Sequence, residues 1–222
     1  MDLLRHIAVV SLLLAGLCAL AGVPPASPPE RLADTGIHRP GTLSFSPQYP
    51  LWSDGADKRR WISLPRGTAI DGSRADAWRF PVGTKLWKEF SQGGRRIETR
   101  YVERLADGSW QFASYAWNAD GSEARLVPAR GAVIEGVPGA PDGRYEIPSR
   151  GDCLACHESA AVPVLGASAL QLSPDRDPLA PHVVPPGDVD LPGLVARGLL
   201  RRYAGPAAPR IATPDPQARA AL

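Results

Sequence analysis

The sequence predicts a mainly β protein, one β-rich domain that ends in a C-terminal α-helical segment, and three observations carry that prediction. From Thr42 onward, short aromatic and β-branched runs alternate with Gly, Pro and Asp turn signals. Asp107-Gly108 sits between two such runs, as the turn of a β-hairpin does. A compact Cys-Leu-Ala-Cys-His segment, Cys153 to His157, comes late, after a long strand-like stretch. The chain has 24 prolines and 22 glycines, so turns and loops are frequent, yet a hydrophobic content of 44 % supports a packed core.

Residues 1–21 have the form of a secretory signal peptide: Arg5 gives the positive start, Ile7 to Leu20 the apolar run, and Ala19-Leu20-Ala21 the small-residue cleavage site. Cleavage there removes Cys18 and leaves Cys153 and Cys156 as the only thiols, in a periplasmic or secreted protein with no stable membrane span. An uncleaved anchor is the alternative. Residues 22–40 are a Pro- and Ala-rich lead that tethers the domain or wraps over it. The domain proper covers 41–203, and 204–222 reads as a Pro-rich tail.

Within the domain, Trp61 to Leu64 and then Ile70 precede the turn signals Pro65-Arg66-Gly67 and Asp71-Gly72. Lys85 to Phe90, Ile97 to Leu105 and Trp110 to Trp117 are the stronger strand signals. In the last of these, Trp110 and Phe112 fall on one face and Tyr115 and Trp117 on the other, which predicts a strand covered on both sides. Leu126 to Val133 and Tyr145 to Ile147 add further strands before Pro148. After the cysteines, Pro163 to Leu172 is apolar but broken by Gly166, and Ser173 to Pro186 is loop. Asp190 can cap a helix over Leu191 to Tyr203, with Pro192 in its first turn and Arg197, Arg201 and Arg202 toward its end.

CxxCH is the pattern by which a c-type haem is attached. Cys153 and Cys156 would form thioethers with the haem vinyl groups, and His157 would reach the iron as axial ligand, which makes this stretch the haem-attachment segment. A bare CxxC could be a dithiol pair or half a zinc site. The adjacent His favours one covalent haem c, and zinc would need a fourth ligand that no nearby His or second CxxC provides. The only Met is Met1, inside the signal segment, so His/Met coordination is excluded in the mature protein. His182, in a loop after the haem segment, is the possible sixth ligand, with His38 as the other histidine; an open iron is the alternative. Among Asp54, Asp57, Lys58, Arg59 and Arg60, the arginines could pair with haem propionates or sit in an ordinary charged edge. The formal charge of +2 leaves no nucleic-acid footprint.

Tyr49 to Asp54, Phe80 to Lys88, Ile97 to Arg100, Tyr115 to Asn118, and Ile147 to Arg150 followed by the CxxCH resemble a largely uncharacterised group of bacterial secreted c-type haem proteins. The likeness runs from about Tyr49 to Leu172, and this chain carries one CxxCH where members described as di-haem carry more. The Phe-Pro-x-Gly-Thr-x-Leu-x-Lys segment is also similar to the lysine-cross-linked, hydroxylamine-oxidising c-type cytochromes and the β-sheet cytochrome c′ relatives. That second resemblance implies a β-rich domain with an open distal face, and Lys88 or Lys85 as a cross-linking or haem-edge lysine; ordinary solvated strand lysines are the alternative. The expected function is single-electron transfer between periplasmic partners such as a dehydrogenase or another cytochrome, more a carrier than a catalyst. The alternatives are a haem enzyme or binder of nitric oxide, hydroxylamine or peroxide at an open iron, and a non-haem thiol or metal protein.

Overall fold

The computed structural model describes residues 27–51, 53–177 and 184–211. The signal segment, the start of the lead, His182 and the end of the tail lie outside them. The chain is mostly β, 29 % strand against 12 % helix, so the β grammar dominates as the sequence predicts. Among the described residues ten strands run in order: β1 (Leu43–Ser44), β2 (Asp57–Ser63), β3 (Ile70–Asp71), β4 (Lys85–Gln92), β5 (Arg95–Arg104), β6 (Trp110–Trp117), β7 (Ala124–Leu126), β8 (Ala132–Glu135), β9 (Arg144–Ile147) and β10 (Leu200–Arg201). Helix α1 is Arg150–His157 and α2 is Leu191–Ala196.

An antiparallel six-stranded sheet, ordered β1-β2-β4-β5-β6-β7, organises the molecule. The Gly93-Gly94 pair joins β4 to β5 with φ of 57° and 79°, a left-handed turn that glycine adopts without steric cost and that matches strand twist. The β5–β6 hairpin forms at Asp107-Gly108, where Asp107 Oδ1 accepts the Ser109 amide at 2.9 Å.

Side chains alternate across this sheet, and both faces are covered. One face carries Trp87, Tyr101, Tyr115 and Trp117, packed with Leu32, Ile37 and Ala124. The other carries Leu86 with Val102 and Trp110 beside it, and packs against Trp78, Phe80, Val164, Leu172, Leu191 and Leu194. The lead supplies part of the first cluster: a 3-10 turn at Leu32–Thr35 buries Leu32, and Glu30 and Pro29 accept hydrogen bonds from the Leu126 amide and the Tyr115 hydroxyl.

Two expectations need correction. The helix predicted over Leu191 to Tyr203 stops at Ala196, because Gly198 takes φ of 68° and closes a Schellman motif with Gly198 N–H to Val195 O and Leu199 N–H to Leu194 O. The chain then re-enters a two-stranded parallel pair, β10 with β3, which the local pattern did not reveal. The run from Leu126 to Val133 is likewise two elements, β7 on the main sheet and β8 in a separate hairpin with β9.

Candidate cofactor site

Helix α1 begins where Pro148 ends β9, and Ser149 caps it. The Asp152 amide donates to Ser149 Oγ at 3.2 Å, while the Ser149 amide donates back to Asp152 at 2.9 Å, a reciprocal capping box. The helix buries no residue fully, so its order rests on this cap and on what its far end touches. There the His157 ring stands 4.9 Å from the Phe112 ring of β6.

Cys153, Cys156 and His157 line one cavity of about 380 Å³, within the usual size range of ligand and cofactor sites. Cys153 is half-buried, Cys156 is exposed, and both are free thiols. Three residues apart on a helix, they share one side of it. The His157 Nδ1 lies 2.5 Å from the Pro163 carbonyl oxygen. A carbonyl can only accept, so Nδ1 carries the proton and Nε2 keeps a free lone pair, the arrangement typical of a metal-ligating histidine. Burial lowers the His157 pKa, with Lys88 and Arg100 adding to the effect and the Pro163 bond opposing it. Burial likewise raises that of Cys153, against the nearby Arg100 charge.

The opposite wall is the second face of the sheet. Strand register sets Arg60 of β2 beside Lys88 of β4, and Lys88 beside Arg100 of β5. All three line the cavity, together with Leu86, Val102, Phe45, Leu51, Val164 and Leu165. Arg100 is committed: both of its side-chain hydrogen bonds, 2.8 and 3.1 Å, go to the fully buried Glu98, which also accepts from Ser114 at 2.9 Å and from the Tyr145 hydroxyl at 2.9 Å. Burial works against the Arg100 charge, but Glu98 outweighs it and holds the guanidinium above its ordinary value. Burial and then the Arg60, Arg100 and Lys58 charges push the Lys88 ammonium down to about 7.

The sequence-predicted residues thus divide. Cys153, Cys156, His157 and Lys88 meet in one cavity, and Arg60 joins them. Lys85 does not line the cavity; it pairs with Glu103 and reaches the Thr35 carbonyl. His38 is exposed and acts on Glu89, which alternates onto the aromatic face, away from the cavity. Arg100 and the Pro163 carbonyl are the participants that sequence reading missed. Arg100 was visible only as one member of the Ile97 to Arg100 segment, and a backbone carbonyl leaves no signature in side-chain chemistry.

Compared with protein-family models, curated proteins and solved structures, the chain matches none.

Proposed function

We propose that the chain is a periplasmic or secreted c-type cytochrome that holds one haem through thioethers at Cys153 and Cys156, takes His157 as axial ligand, and passes single electrons between redox partners such as a dehydrogenase or another cytochrome. The observation that carries this is the convergence of both thiols and a His157 ring with a free Nε2 on one cavity lined by apolar and cationic groups. When bound, the haem supplies the one-electron couple. The chain's part is to hold and shelter it. Pro163 fixes the His157 ring, Leu86, Val102, Val164 and Phe45 exclude water, and Glu98 anchors Arg100 in the wall. Cys156 is exposed and α1 has no fully buried residue, so the attachment edge would face solvent, where a partner can approach.

Further support comes from the strands that carry the resemblance to secreted c-type haem proteins. Phe80 to Lys88 and Ile97 to Arg100 contribute Leu86, Lys88 and Arg100 to the cavity wall, with Lys88 as the proposed haem-edge lysine. A zinc reading would need four ligands, and among the described residues no group of three or more His, Cys, Asp and Glu is placed to hold a metal ion. His182 as sixth ligand lies outside the described residues. A second reading, a small-ligand binder with an open sixth position, is favoured by the lining among the described residues, in which the imidazole is that of His157 and the sheet wall is cationic.

The test is an optical spectrum of the mature protein made with c-type haem maturation, ferric, ferrous and with carbon monoxide. Covalent haem that survives denaturation is expected in the wild type and is lost or reduced to a single thioether in Cys153→Ala and Cys156→Ala; His157→Ala changes the iron spectrum. A low-spin spectrum unmoved by carbon monoxide supports the carrier, and a high-spin one that shifts supports the second reading. No covalent haem overturns both.

A further inference from the structure

Arg60 is 7 % exposed and lines the cavity, yet among the described residues its guanidinium makes no hydrogen bond or ion pair. Asp188 acts on it only as a charge at a distance, and that carboxylate accepts the Ser46 hydroxyl at 2.6 Å. The other two cations of the wall differ. Arg100 is matched by Glu98, and Lys88 lies over the Phe90 ring at 4.6 Å, without a carboxylate partner among the described residues. The guanidinium of Arg60 thus has its donors free toward the cavity, and its planar fork suits a carboxylate or other oxyanion. Burial pushes Arg60 down to about 10, which still leaves it charged near neutrality.

Its position gives the site a direction. His157 rests on Phe112 of β6, whereas Arg60 is on β2, three strands away and so roughly 14 Å along the sheet. Both residues line the cavity, so a ligand held at Arg60 would sit over a different part of the sheet from the imidazole.

We infer that Arg60, flanked by Lys88, is an oxyanion-binding site in the cavity wall, three strands from the His157 contact on β6, built for a carboxylate or a small inorganic oxyanion. This rests on the haem reading for its location but not for its chemistry. Two sources could supply the group: a propionate of the haem itself, or a free small anion bound beside it.

Ferric holoprotein titrated with nitrite and with formate, followed in the Soret band, separates the sources when wild type, Arg60→Gln and Arg60→Lys are compared. A free-anion site predicts that Arg60→Gln weakens both anions by about 10- to 100-fold, that Arg60→Lys recovers part of the loss, and that the ferrous spectrum of the haem is unchanged. A propionate site predicts that anion affinity is unmoved but the pH dependence of the midpoint potential between pH 5 and 8 changes in Arg60→Gln. Absence of both effects overturns the inference, as does a changed ferrous spectrum, which marks a collapsed pocket. If the wild type carries no covalent haem, the earlier reading has failed on its own; calorimetry of formate binding to the haem-free chain, wild type against Arg60→Gln, then decides this one, and no difference overturns it.

Discussion

The two faces of the β2-β4-β5-β6 sheet are made by alternate residues of the same strands, and they are built to opposite ends. On one face Trp87, Tyr101 and Tyr115 are no more than 2 % exposed and are closed over by Leu32 and Ile37 of the lead. On the other, Arg60, Lys88 and Arg100 share a row beneath an open cavity. Trp87 and Lys88 are neighbours in sequence, yet one sits in a dry aromatic stack and the other holds a depressed pKa among like charges. A period-two strand allows this because adjacent side chains leave the sheet in opposite directions. One face can therefore be closed by packing along its length, while the other divides between the Leu86 cluster and a row of unsatisfied, chemically useful groups whose burial would otherwise have to be offset locally.

If the faces are separable, a large truncation on the packed side should cost stability and leave the cavity unchanged. Trp117 is the sharpest probe: its Nε1 donates to Thr99 Oγ1 at 2.9 Å, and the Arg96 guanidinium lies 3.7 Å from its ring. Trp117→Ala removes a buried aromatic and strands the Thr99 hydroxyl, so it should destabilise the protein by about 3–5 kcal/mol. Urea denaturation measures the loss, and the absorption maxima of the proposed haem should stay where they are in the wild type. Movement of the maxima would mean that the two faces are coupled through the strands.

The converse experiment is made one face over, at Lys88. Its folded-state pKa of about 7 lies below the ordinary lysine value of 10.5, first because of burial and then because Arg60, Arg100 and Lys58 face it. Between those two values the unfolded chain binds more protons than the folded one, so this group makes stability rise with pH across that window, by no more than about 1.4 kcal/mol per unit. In the haem-free chain, Lys88→Met should abolish that rise and stabilise the protein at pH 7 by about 1–3 kcal/mol, read as a higher thermal midpoint. A lower midpoint for Lys88→Met would show that the ammonium is satisfied in the wall, and the contrast between the faces would shrink accordingly.

The contrast also explains what could be read from the chain beforehand. The two-sided burial of β6 was legible because Trp110 to Trp117 puts aromatics in both phases of the strand, and the Asp107-Gly108 hairpin because its turn residues are local. Cys153, Cys156 and His157 could be singled out together because the CxxCH pattern is contiguous in sequence, and the structure sets all three on one cavity. Long-range partnerships were not. Nothing near Leu200 announces Ile70 as its parallel partner, and nothing near Leu32 announces Tyr115. Within the cavity, Lys88 was reached through resemblance and Arg60 only as one of several charges in its strand. Their meeting depends on the β2–β4 register, which alternation constrains to a face but not to a partner. The helix that stops at Ala196 had a signal in Gly198, outweighed in the sequence by the cationic residues that followed it.

The smallest expected effect concerns α1, where the chemistry of the open face depends on an element that draws little from either core. With no fully buried residue in α1, the capping box is a main source of its order: Ser149 Oγ accepts the Asp152 amide, and Asp152 accepts both the Ser149 amide and its hydroxyl, at 2.9 and 2.7 Å. Ser149→Ala should cost about 1 kcal/mol, felt within α1 alone. Hydrogen exchange should then quicken at the amides of Arg150 to His157 while β4, β5 and β6 keep their protection, because local opening of this helix does not require the sheet to open. Faster exchange in β6 as well would show that the His157 contact with Phe112 transmits order from helix to sheet, and that the attachment segment is a structural part of the domain as well as its chemical one.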